Sequence, residues 1–180
     1  MKFFQESMIE YRKQLEKGSI QVAYRGLVDY FNSLRSFFKK KYPTYSVSGS
    51  VYFGYIDMTY FAFFPISLKK RKLKVGIVFL HEAYRFEVWL FGNNKKIQKK
   101  YWDLFKEKGW DKYRLPLNLK GGDSILEHIL VDNPDFGDLD VLTEKIEKGT
   151  LDFIKNVESF LNQLVRARAQ TQEINSFVNE

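Results

Sequence analysis

The stretch FLHEAYRFEVW, residues 79–89, gathers His81, Glu82, Arg85 and Glu87 around what reads as one hairpin. A histidine with nearby carboxylates is the raw material of general acid–base catalysis or of a metal site. Asp57 lies upstream, and an Asp followed by Glu-x-Lys on a hairpin is the pattern of metal-dependent nucleases. The comparison stops at Trp89, which stands where that chemistry needs a lysine to orient water. A surface ion pair is the commoner role for Arg85 and Glu87, because residues two apart on a strand share a face. The second of the two histidines, His128, follows Glu127, so a two-His, two-Glu site is conceivable. Adjacent strand residues point to opposite faces, however, and at most one member of each dipeptide can serve a shared pocket. No metal or cofactor is therefore expected, and His81, Glu82, Arg85, Glu87 and His128 stand as pocket candidates for a small enzyme.

A different chemistry is written in GNNKKIQKKYW, residues 92–102. The first turn of a helix carries unpaired N–H groups and a partial positive charge, so carboxylates belong there. This one opens instead with Lys95, Lys96, Lys99 and Lys100. Either carboxylates from elsewhere in the chain offset them, or an outside anion such as phosphate does. Lys69, Lys70, Arg71 and Lys72 form a second basic run. Together these eight residues are the candidate ligand-binding set, with nucleic acid or a phosphate-bearing ligand as the implied partner.

VYFGYIDMTYFAFF, residues 51–64, holds seven aromatic rings. Phe53-Gly54-Tyr55-Ile56 matches the middle of the signature on RNA-reading sheets. Val51, Tyr52 and Met58 stand where that signature needs a basic residue, a glycine and a further ring, so core packing is the expected role of these rings.

Composition narrows the frame. The chain has 180 residues, enough for one domain with its own core, and 31 rings (17 Phe, 11 Tyr, 3 Trp) to fill it. It has no cysteine, which excludes disulfides and thiolate chemistry. No signal peptide or apolar run long enough to span a membrane is read in it, and a cytoplasmic location is expected. The net charge of +7 is divided: residues 1–120 hold 24 Lys or Arg against 10 Asp or Glu, whereas residues 121–180 hold 5 against 12. Two lobes of opposite charge packed together would explain this, as would attraction for a polyanion.

Periodicity supplies the elements that must position these residues. Phe4, Met8, Tyr11 and Leu15 draw the stripe of an amphipathic helix that Gly18 ends, and Ile20, Tyr24, Leu27, Phe31, Leu34 and Phe38 draw a second, with Ser19 as its N-cap. Strands are predicted at 47–54 and 58–64, and a hairpin at 72–91 alternates with a period of two. Asn93 or Asn94 caps the Lys-rich helix, and Gly109 ends it with Trp110 folding back. Segments 113–119 and 126–132 are candidate further strands, and a long helix from Asp138 to Leu164 is interruptible at Gly149. The expectation is an α+β domain over 1–165, a mostly antiparallel sheet of four to six strands with an N-terminal helical hairpin, the Lys-rich helix and a long C-terminal helix packed on it. Residues 166–180 are expected to fray.

SGSVYFGYIDMTYFAFFP, RKLKVGIVFLHEAYRFEVWL, KKYWDLFKEKGWDKY and ILVDNPDFGDLDVLTEKIEKGTLDFIK together resemble a family of small stand-alone prokaryotic proteins known only as a domain of unknown function, over about residues 1–162. The resemblance implies no activity, cofactor or catalytic residue. More locally, residues 79–115 are similar to an uncharacterised module appended to restriction-type nucleases. The chain is read as a non-catalytic module for an anionic partner. The alternatives are the small His/Glu enzyme and a homodimer built on exposed rings and the C-terminal helix.

Overall fold

Alternation with a period of two builds the centre of the molecule. Strands β3 (Leu73–Leu80) and β4 (Arg85–Gly92) pair antiparallel from Leu73 opposite Gly92 to Leu80 opposite Arg85. The computed structural model describes residues 2–120 and 122–178, with side chains described for 3–120 and 122–167. Strands β1 (Ser46–Val47) and β2 (Met58–Phe64) extend the sheet on one side and β5 (Ser124–Asp132) on the other. The order is β1-β2-β3-β4-β5, a meander in which every pairing is antiparallel.

Helices cover one face. Helix α2 (Ser19–Lys41) brings Phe31, Leu34 and Phe38 onto the sheet. Phe31 stacks on Phe86 at 5.8 Å and Phe38 on Phe63 at 5.4 Å. Helix α4 (Lys95–Glu107) adds Tyr101 and Phe105 to the same core, and α5 (Leu139–Val178) adds Phe153, Val157 and Leu161. The other face holds a separate cluster of Val78, Trp89 and Phe91, flanked by Met58, Tyr60 and Leu80, that contains no helical residue. These rings bury one another, and of the rings at 51–64 read as core Tyr60 lies here, whereas Phe61 and Phe63 are in the helix-covered core.

Several elements differ from expectation. The strand predicted at 47–54 shrinks to the two residues of β1 and a single bridge between Tyr52 and Tyr60. Between them the chain turns: Gly54 and Ile56 take left-handed φ values of 52° and 63°, and the Asp57 carboxylate accepts the Tyr55 N–H at 2.8 Å. Segment 113–119 contributes only the bridge between Arg114 and Glu127, since Pro116 has no N–H for a ladder. Ser19 is the first helical residue rather than the N-cap; Gly18, at φ 75°, joins α1 (Lys2–Glu16) to α2. The basic run 69–72 begins inside a short helix, α3 (Ile66–Lys70). Gly149 does not break α5. It lets the helix approach β5, because a Cβ there would lie 2.6 Å from a Leu130 methyl. Two features hold: the Asn94 side chain accepts the Ile97 N–H at 2.9 Å, and beyond Gly109 the Trp110 ring packs edge-on to Phe105 at 5.2 Å. The frayed tail expected at 166–180 falls mostly on side chains outside those described.

Gly92 sets the approach of α4 to the sheet, since a Cβ there would lie 2.5 Å from the Gln98 backbone nitrogen. Gly92→Ala is expected to lower unfolding stability by about 1–3 kcal/mol in urea, the usual penalty of overpacking. Gly26→Ala, in α2 with nothing within 4 Å of the added atom, should instead gain up to about 1 kcal/mol. Equal stability of the two variants would contradict this packing.

Candidate functional site

The register determines what meets at each end of the sheet. Phe64, Leu73, Gly92 and Ser124 lie at one end, and Met58, Leu80, Arg85 and Asp132 at the other. At the first end the Asn93 N–H donates to the Lys72 carbonyl at 3.0 Å. That bond joins the end of the 69–72 run to the start of the Lys-rich helix. Lys69, Lys70, Arg71, Lys72, Lys95 and Lys96 therefore share one end of the sheet. Lys99 and Lys100 sit one turn further along α4.

Beside the start of the Lys-rich helix, on the outer face, is a polar cavity of about 220 Å³ lined by Tyr60, Lys74, Phe91, Asn94, Lys95 and Asp123 among others, and by no residue of the 69–72 run. Its floor is aromatic. Tyr52, Tyr60 and Phe91 form a row with ring centres 5.2 and 5.8 Å apart, and the Phe91 ring lies across Gly76, where a Cβ would come within 2.5 Å of it. The Lys74 ammonium stands 5.6 Å above the Phe91 ring. Burial raises the Tyr60 phenol above its usual range, and the Asp123 and Tyr52 charges add to the effect. Gln98, buried, donates to the carbonyls of Gly122 and Ser124 at 3.0 and 3.2 Å, tying α4 to the start of β5.

The lysines divide by partner. Lys95 pairs with Asp123 at 2.6 Å and Lys99 with Asp103 at 2.7 Å. Only Asp123 of these comes from the acidic last third. Lys100 leans over the Tyr101 ring at 5.4 Å, and Lys96 makes no ion pair among the described residues. Lys69 donates to the Ser46 hydroxyl and Arg71 to the Asn162 side-chain amide oxygen, both neutral acceptors. Lys70 and Lys72 likewise pair with no carboxylate among the described residues. The Lys95–Asp123 pair is solvated on both sides, with side chains 70% and 74% exposed, so it contributes at most about 1 kcal/mol and yields readily to a competing anion.

The five pocket candidates do not converge. His81 lines a second, larger cavity of about 560 Å³ at the opposite end, with Tyr24, Tyr30, Ile56, Tyr84 and Phe136. Its Nε2 is 3.0 Å from the Thr59 hydroxyl. Glu82 is exposed and is not part of that lining. Arg85 and Glu87 lie on the outer face and pair along their own strand, at 2.6 Å, rather than across strands. Glu87 also accepts the Trp89 indole N–H at 2.6 Å. His128 lies against Tyr113 at 4.6 Å. Among the described residues no group of three His, Cys, Asp or Glu could hold a metal ion.

The candidate binding set left out Lys74, Tyr60, Phe91 and Asp123. A signal existed for Lys74: alternation with Leu73 and Val75 already turned it away from the core. Nothing local announced that Asp123 would meet Lys95 across 28 positions.

The fold and the two clefts define a two-layer α+β domain, helices on one face of the sheet and the outer face without a helix among the described residues. Residues 4–161 match the family described as "Domain of unknown function (DUF7000)", and the chain belongs to that family. No curated protein matches it. No solved structure matches it. The local likeness of 79–115 to a nuclease-appended module is not shown by these comparisons. Among the described residues no helix is long and apolar enough to cross a membrane.

Both histidines titrate below their usual range. Burial is the main cause at each, opposed by Asp57 at His81 and by Glu87 at His128. The unfolded chain therefore takes up these protons first, so their stabilising effect is complete above about pH 6.5 and is lost as pH falls through the lower folded values. Thermal melting should fall between about pH 7.5 and about pH 5.5, and the double variant His81→Gln/His128→Gln should flatten that slope. A wild-type melting temperature that rises on acidification would contradict the assignment.

Proposed function

We propose that this domain is a non-catalytic module that binds a phosphate-bearing partner carrying aromatic bases, with short single-stranded nucleic acid as the best-fitting class. The reading rests on one observation: two basic runs distant in sequence meet at one end of the sheet, beside a row of rings. Phosphates need several cations within reach of successive charges, and Lys69, Lys70, Arg71, Lys72, Lys74, Lys95 and Lys96 supply them. Bases need flat surfaces, and Tyr52, 46% exposed, continues through Tyr60 to the cavity floor. Stacking on rings is sequence-tolerant and contributes about 1–3 kcal/mol per base. The small-enzyme alternative has weaker support, since among the described residues no carboxylate lines the cavity that holds His81.

Fluorescence anisotropy with a labelled single-stranded oligonucleotide tests the reading. Binding should weaken with salt at a log–log slope of about −2 to −3, as expected for three or four phosphates on a single strand. Lys72→Glu/Lys96→Glu should weaken binding at least about tenfold. Tyr52→Ala should lose about 1–3 kcal/mol through the missing stack. Absence of binding at low salt would remove the proposal.

A further inference from the structure

The end of the sheet away from the lysines has the opposite character. Helix α1 lies there as an amphipathic helix whose apolar stripe is largely exposed: Phe3, Phe4, Met8 and Tyr11 are 82%, 69%, 42% and 53% exposed. A helix with one apolar stripe is normally held by what that stripe buries. Beside it is the apolar cavity of about 560 Å³, whose rim residues Val22 and Ile56 are themselves exposed. One chain thus carries an unfilled groove and an unburied helix face.

The corner between α1 and α2 keeps the two apart. Gly18 donates to the Leu15 carbonyl at 3.0 Å, Val22 to Gly18 at 3.3 Å, and the Gln21 side chain to Leu15 at 2.8 Å. These bonds fix the corner, and among the described residues none of α1 lines the groove of its own chain. A second copy has no such restriction. We propose that two copies form a closed symmetric dimer in which the α1 stripe of each seats in the groove of the other, where Val22, Tyr24, Ile56, Tyr84 and Leu139 receive it.

Area supports a second copy as the occupant. A buried ring removes about 150–250 Å² from water, so burying the exposed parts of Phe3, Phe4 and Tyr11 removes about 400 Å². In a reciprocal exchange each copy supplies both a helix and a groove of similar extent, which brings the total to about 800 Å² per partner, the size of a standard stable interface. The interface closes on itself, so it ends at two copies and leaves no groove open.

Light scattering on the full chain, with size-exclusion separation at about 100 μM, should give about twice the subunit mass of 21.4 kDa. Phe4→Glu/Tyr11→Glu should run as a monomer, and so should Val22→Glu/Ile56→Glu. Mixed together, the two variants should regain a dimer, because one intact helix and one intact groove remain. The chain has no cysteine, so Met8→Cys and Ile56→Cys chains can be mixed and oxidised, which should give a covalent heterodimer. A monomeric wild type would overturn the proposal. So would a dimer that survives the groove variant, which would mean helices pairing with each other, or a cysteine mixture that does not cross-link.

Discussion

The stacking of α2 on the sheet determines where everything else lies. Phe31 and Phe38 are fully buried against Phe61, Phe63 and Phe86, with centroid distances of 5.4 to 6.3 Å. Burying one such side chain contributes about 1.5–3 kcal/mol, and well-oriented ring pairs add about 0.5–1.5 kcal/mol more. The contacts run along the length of the strands, so α2 can neither slide nor rotate without losing several at once. Its first turns are thereby held at the β3–β4 turn, where Tyr24 reaches His81, and its lysine-rich end at the opposite edge. The apolar groove and the basic end are two consequences of one packed seam.

The charge division of the sequence is only partly an internal affair. Lys41 pairs with Glu147 of α5, Arg114 with Glu127 of β5, and Lys95 with Asp123. Among the described residues the acidic last third thus joins the body through three ion pairs, and Glu158 also accepts the Ser67 hydroxyl. Glu147 and Glu127 are nearly buried, and each also accepts a hydroxyl, from Tyr42 and Ser124 respectively. Removing a lone partner of such a group is far more disruptive than breaking an exposed pair. These two carboxylates are structural, whereas Asp123 at the lysine end is held only loosely. The basic runs at 69–72 and 95–96 keep most of their charge facing water.

Local patterns were legible where one element decided them. The stripe of α2, the alternation of β3 and β4, and the Gly109–Trp110 stop of α4 all follow from spacings within a single segment. What failed depended on partners. Strand propensity over 47–54 lost to a loop made by Gly54 and Asp57, and Gly149 read as a break because the Leu130 methyl it makes room for is distant in sequence. The lysines were singled out from helix electrostatics alone, but their meeting with the 69–72 run required the register of β3 against β4. The outer-face row of Tyr52, Tyr60 and Phe91 was hidden for the same reason: periodicity marks rings as strand residues without saying which face a helix will cover.

The central claim is that the lysine end of the sheet, with its ring floor, is a binding surface. Amide chemical shifts of isotope-labelled protein titrated with a short single-stranded oligonucleotide test it at residue resolution. The account predicts that the largest changes fall on Tyr60, Lys72, Phe91, Asn94, Lys95 and Lys96. Changes concentrated instead at Tyr24, His81 and Tyr84, or a spectrum that does not move, would contradict it.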